Sequence, residues 1–133
     1  MKVFKLLTLV YIILNPFFLN AQDFVTIWDM NAALTTSEIS FGAETNNAVA
    51  YTWETVPAGA NGSGFLNGPL AVINGLPATG AIRLSISPNN FKRIRVNAGL
   101  NAAGLLEIEQ WGSVNWSNMD SAFFNCKNLQ ISA

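Results

Sequence analysis

The feature that most limits what this chain can fold into is alternation. From Phe24 to Ile86, apolar residues recur at every second position in short runs, and each run ends in a cluster of Gly, Pro or Asn. A period of two puts one set of side chains on one face of an extended strand, and the turn-forming clusters stop each strand before it lengthens. "DFVTIWDM" (Asp23–Met30) is rich in β-branched and aromatic residues, and "SEISFG" sets Ile39 and Phe41 against Glu38 and Ser40. "AVAYTWETV" (Ala48–Val56) aligns Val49, Tyr51 and Trp53 on one face. "PLAVING" and "AIRLSIS" follow, the second with Ile82, Leu84 and Ile86 inward and Arg83 and Ser85 outward. The segments between, "GAETNN", "PAGANGSG", "NGLPATG" and "PNN", carry turn chemistry. Strands at roughly ten-residue spacing predict a mainly β fold, a small antiparallel β-sandwich over residues 22–90.

The segment before Gln22 follows a different logic. Lys2 and Lys5 precede an apolar run, Leu6 to Leu14, interrupted by Thr8 and Tyr11; Pro16 breaks it and Ala21 offers a small residue for cleavage. This is the layout of a signal peptide over residues 1–21, cut between Ala21 and Gln22. The run is shorter than the ~20 residues of a membrane span and no basic cluster follows it, so no membrane span is expected after cleavage. The expected location is the secreted fraction or the outer cell surface. A start at Gln also resembles bacterial exported proteins, as in many Bacteroidetes.

Composition then removes several function classes. Beyond Ala21 the chain holds five bases and eight acids, a net of about −3, which gives no electrostatic reason to bind nucleic acid or anionic lipid. There is no histidine, hence neither the commonest general base nor the commonest metal ligand. Cys126 is the single cysteine, so no intrachain disulfide is possible.

The last third changes pattern. "FKRIRVN" (Phe91–Asn97) reads as a strand with Ile94 and Val96 on one face and Arg93 and Arg95 on the other; "LLEIEQWG" (Leu105–Gly112) sets Leu106 and Ile108 against Glu107 and Glu109. The basic and acidic pairs are expected to meet across neighbouring strands. In "SNMDSAFFNCKNLQISA", Ser117 is a suitable N-cap, Asp120 stands three positions on, and Met119, Ala122, Phe123 and Cys126 fall on one helical stripe. A short helix over Ser117–Cys126 is therefore expected. Leu129 and Ile131 repeat the spacing of Leu106 and Ile108, both displaced along the chain by the same offset. Strand, short helix and like strand at that offset, about 23 residues, match the unit length of leucine-rich repeats, roughly 20–29 residues. The two strands are expected to lie parallel and adjacent. Residues 91–133 then form an N-terminal cap and a first, truncated repeat unit, because such a unit needs further repeats to cover its apolar face.

"LLEIEQWGSVNWSNMDSAFFNCKNLQISA" resembles the BspA-like leucine-rich-repeat surface proteins of bacteria, whose repeats carry a pattern like "M..MF..C.NL". Met119, Phe123, Cys126, Asn128 and Leu129 match it, and Ala122 replaces the second Met. The preceding region is similar in layout to a PKD-like or fibronectin-like β-domain, with Trp53 kept in "TWETVPAG" and the acidic turn of "WGDG" lost. The resemblance implies a non-catalytic secreted or cell-surface protein for adhesion or recognition. Its β-domain would cap or space a repeat array, and its partner would be an extracellular protein or glycan.

Candidate sites are sparse. No catalytic, cofactor-binding or metal-ligating constellation is legible. Cys126 lies on an apolar stripe with no histidine to activate it, and is expected to be structural. Trp111 and Trp116 flank the "GSVN" turn and are the better placed of the four tryptophans for contact with a sugar; Trp53 shares a face with core residues. Asp23, Asp29, Glu38, Glu44 and Glu54 lack calcium-loop spacing. Glu107 and Glu109 lie side by side on one strand and so cannot flank a glycosidic bond. "GANGSGFLNG" is glycine-rich, but no Lys follows it as in a phosphate loop. Two classes remain: an adhesion or recognition protein, and the carbohydrate-binding accessory region of a secreted enzyme.

Overall fold

The computed structural model describes residues 21–32 and 37–133. The signal peptide read over residues 1–21 lies outside the described residues, apart from Ala21. Among the described residues there are nine strands: β1 Phe24–Asp29, β2 Glu38–Thr45, β3 Val49–Val56, β4 Asn61–Leu66, β5 Leu70–Asn74, β6 Ala81–Ile86, β7 Phe91–Arg95, β8 Leu105–Gln110 and β9 Gln130–Ile131. They form a six-stranded sheet, β4-β3-β6-β1-β8-β9, and a three-stranded sheet, β5-β2-β7. The fold is mainly β, and each pairing is antiparallel except that of β8 with β9.

Alternation decides which faces are buried. On β6, Ile82, Leu84 and Ile86 are fully buried while Arg83 and Ser85 are partly exposed. Their partners on β3 are Thr55, Trp53 and Tyr51, and Val49 pairs with Leu66 on the same inward face. From the second sheet come Ile39, Phe41, Ala71, Ile73, Phe91 and Ile94. Ring pairs join the two layers: Trp28 stacks on Phe41 with centroids 6.1 Å apart, and Phe24 on Phe91 at 6.3 Å. Burying Trp28 also buries its indole N–H, which donates to Thr26 Oγ1 at 2.8 Å. An unpaired donor there would cost about 1–3 kcal/mol.

Strands from both sides of residue 90 are built into the same sheets, since β7 pairs with β2 and β8 with β1. Past β7, Val96–Ala98 forms a 3-10 turn, so the "FKRIRVN" strand ends at Arg95. Beyond it the backbone runs hard against β2, where a Cβ on Gly99 would lie 2.0 Å from the Ser40 carbonyl oxygen. Asn101 then replaces the missing strand. Its Oδ1 accepts from Ser40 N at 2.8 Å and its Nδ2 donates to the Glu38 carbonyl at 3.2 Å.

Several expectations are corrected. β4 falls in "NGSGFL", most of which the turn chemistry had assigned to a loop. Gly62 and Gly64 face Trp53 and Tyr51 across the ladder, and a Cβ would lie 2.5 Å from the Trp53 indole nitrogen at the first and 2.6 Å from the Tyr51 hydroxyl at the second. The aromatic rings thus cover backbone that has no side chain of its own. Arg93 and Arg95 do not meet Glu107 and Glu109, because β7 and β8 belong to different sheets. Glu109 instead binds Arg83, which also reaches Glu54 at 2.9 Å. On β8 a register irregularity puts Leu105 opposite Trp28 and turns Leu106 partly outward, so Leu105 and Ile108 are the fully buried pair.

The helix expected over Ser117–Cys126 is not formed. That segment is a run of turns closed by Ala122 N–H to Met119 O at 3.1 Å and Cys126 N–H to Phe123 O at 3.0 Å. Ser121 and Asn125 take positive φ, 56° and 64°, which a right-handed helix does not admit. Only part of the stripe faces inward: Ala122 is buried and Phe123 and Cys126 pack partly against the core, whereas Met119 is exposed. After these turns, β9 pairs parallel with β8, Glu107 opposite Gln130 and Ile108 opposite Ile131. The offset between the partners is the one read from the sequence. One parallel pair is not a solenoid, and none is present among the described residues.

Candidate functional site

The C-terminal edge of the six-stranded sheet combines an open strand with exposed apolar side chains. β9 is its last strand, held by few bonds. Ser132 N–H donates to the Ile108 carbonyl at 3.3 Å, Asn128 Nδ2 to the Ala103 carbonyl at 2.9 Å, and the Ser132 hydroxyl to Glu107 Oε1. Beyond β9 the ladder has no partner among the described residues, and Ile131 is 56% exposed. Phe124, which the sequence did not single out, is 60% exposed on the turns leading to β9. Apolar side chains beside an unpaired strand edge are the composition of an association surface.

Trp111 and Trp116 sit nearby, brought together by the tight turn after β8. Gly112 makes that turn with φ +71°, and a Cβ there would lie 2.3 Å from the Asp23 carbonyl oxygen. The two indoles meet edge to face, centroids 6.4 Å apart. Trp116 also stands edge-on to Phe24 at 5.1 Å, and Trp111 to Phe123 at 6.1 Å. Both tryptophans are only partly exposed and pack against the core. The two indole planes are crossed at 87° and each packs edge-on to a phenylalanine, so they share no common flat face.

Cys126 is half-buried among these groups, and desolvation pushes its thiol up to about 11. At neutral pH it is a protonated thiol. Among the described residues no group of acidic or cysteine side chains is placed to hold a metal ion. Asp23, Asp29, Glu38, Glu44 and Glu54 are spread over different strands and loops. Glu109 and Glu54 both serve Arg83, and those hydrogen bonds, Glu109 first, raise the guanidinium further above its ordinary value. No helix among the described residues is long and apolar enough to cross a membrane. Comparison with protein-family models, with curated proteins and with solved structures returns no match to this chain.

Proposed function

We propose that this chain is the β-sandwich base of a stack of parallel repeat units, in a non-catalytic protein that acts in adhesion or recognition outside the cell. The observation that carries the reading is the register of β8 and β9, parallel at a constant offset along the chain. That offset, about 23 residues, falls within the unit length of leucine-rich repeats, roughly 20–29 residues. In such arrays each unit buries its apolar face only when the next one covers it. The exposed Ile131 and Phe124 fit that state. The resemblance of Met119, Phe123, Cys126, Asn128 and Leu129 to BspA-like repeats points the same way.

Repetition gives the test. Residues 111–133 span one offset of the β8–β9 register, so a second copy is joined after Ala133 and hydrogen exchange is followed at Gln130 and Ile131. A stackable unit slows exchange there and raises the denaturant midpoint, since each interface adds to the sum. An appended copy that stays unprotected and leaves Gln130 and Ile131 exchanging as before overturns the reading.

A further inference from the structure

A polar trough crosses the outward face of the six-stranded sheet at the edge opposite β9. Ladder register lays it out in rows. Ser63, Thr52 and Ser85 stand side by side on β4, β3 and β6, and Asn61, Glu54 and Arg83 form the next row. These side chains line a hollow of about 460 Å³. A second hollow of about 150 Å³ adjoins it, sharing Thr52 and Ser85 and bounded by Asp23 and Ala50. Opposite Ala50 on the edge strand is Phe65, the most exposed large apolar residue among those described, at 72%.

Chemistry separates floor from wall. The short hydroxyl side chains of Ser63, Thr52 and Ser85 form the floor, and none hydrogen-bonds to the protein among the described residues. The wall is an ion-paired cluster: Arg83 donates to both carboxylate oxygens of Glu109, at 2.9 and 3.1 Å, and to Glu54 Oε1 at 2.9 Å. The ion pair uses one oxygen of Glu54 and leaves the other as an acceptor beside the Asn61 amide. Phe65 lines neither hollow; it stands exposed opposite Ala50, which bounds the second.

We infer that this trough binds a neutral oligosaccharide laid across the strands. A polyol matches what is offered, namely unpartnered hydroxyls, an ion-paired carboxylate with one oxygen left to accept from a sugar hydroxyl, and one exposed ring beside the second hollow for the apolar face of a pyranose. The spacing also agrees, since strands about 4.8 Å apart repeat at close to the length of one pyranose unit. A nucleic acid or acidic glycan is disfavoured, because the wall carries two carboxylates to one guanidinium and Asp23 bounds the second hollow. An apolar peptide would find no greasy pocket on a hydroxyl floor. The open shape suits a chain that extends beyond the site better than an enclosed small molecule. This site stands whether or not the repeat reading does, because it lies on other strands.

The test is a titration of the isotopically labelled chain with cellohexaose, maltohexaose, xylohexaose and mannohexaose, followed by amide chemical shifts, with hexagalacturonate as the acidic comparison. The expected result is saturable shifts at Thr52, Ser63, Ser85 and the Asn61 side-chain amide with at least one neutral sugar. Thr52→Leu, which fills the floor, and Phe65→Ala, which removes the ring, each weaken that binding about tenfold, or about 1.4 kcal/mol. Both variants keep the parent's amide spectrum away from the trough, so lost binding is not lost folding. Three results overturn the inference: no shift with any neutral sugar, shifts centred on Trp111 and Trp116, or tighter binding of hexagalacturonate than of any neutral hexasaccharide.

Discussion

Ile108 and Ile131 are partners across the parallel pair, yet Ile108 is fully buried and Ile131 is 56% exposed. They face each other at one step of the parallel ladder. Only the covering differs: β1 lies beside Ile108, and nothing described lies beyond Ile131.

That difference predicts an asymmetry in stability. Ile108→Ala should lower unfolding free energy by about 2–5 kcal/mol, as a large-to-small change in a packed core. Ile131→Ala should change it by no more than about 0.5 kcal/mol, as expected of an exposed site. Urea unfolding of both variants checks this. Equal losses would mean that β9 is more firmly packed than its exposure indicates.

Asn101 is 1% exposed and stands in for a strand beside β2. Asn101→Ala leaves Ser40 N–H and the Glu38 carbonyl without that partner, and should cost about 1–3 kcal/mol for the buried donor. Amide exchange at Ser40 should accelerate more than at Phe41. A uniform change along β2 would argue against a local bond.

The glycines of β4 should not tolerate side chains while the rings remain. Gly64→Val drives a Cβ to within 2.6 Å of the Tyr51 hydroxyl, and overpacking of this kind costs about 1–3 kcal/mol. Tyr51→Ala in the same chain should recover part of that loss, as a double-mutant cycle would show. Additive losses would place the strain elsewhere.

Cys126 supplies a pH dependence. Burial raises its thiol from an ordinary 9.0 to about 11, so the unfolded chain loses its proton first. Stability from this group is therefore level below pH 9 and falls as pH rises toward 11. Alkylation by iodoacetamide should be slow at pH 8 and speed up on addition of urea. Alkylation at the rate of a free thiol in the folded state would contradict the packing of this residue.

What the sequence made legible follows from local physics. Period-two runs gave β3 and β6 with their inward residues, and β-branched and aromatic content gave β1, because these signals need only neighbours along the chain. β4 was hidden because Gly62 and Gly64 read as turn residues; the rings that cover them come from β3, and only the ladder register brings them there. The Met119–Cys126 stripe named inward residues correctly in Ala122 and Cys126 but the wrong backbone. Linked turns and a helix share i to i+3 spacing, and the positive φ values of Ser121 and Asn125 are not written in residue type. The partner of Glu109 was missed for a third reason. Two-residue patterns say that charges share a face, whereas which strands adjoin is settled by the whole topology. As for the trough, its residues come from three strands, and no single run of sequence contains it.

The parallel step from β8 to β9 has a consequence for reach. A hairpin reverses the chain as it moves one strand over, whereas the β8–β9 step moves one strand over and keeps the direction, so the same step can be taken again. Each such step advances the edge by about 4.8 Å, against roughly 76 Å for about 23 residues drawn straight at about 3.3 Å each. Repeating it would therefore lengthen the molecule far more slowly than the same residues drawn out. A stack built from such steps would be a wall and not a tether.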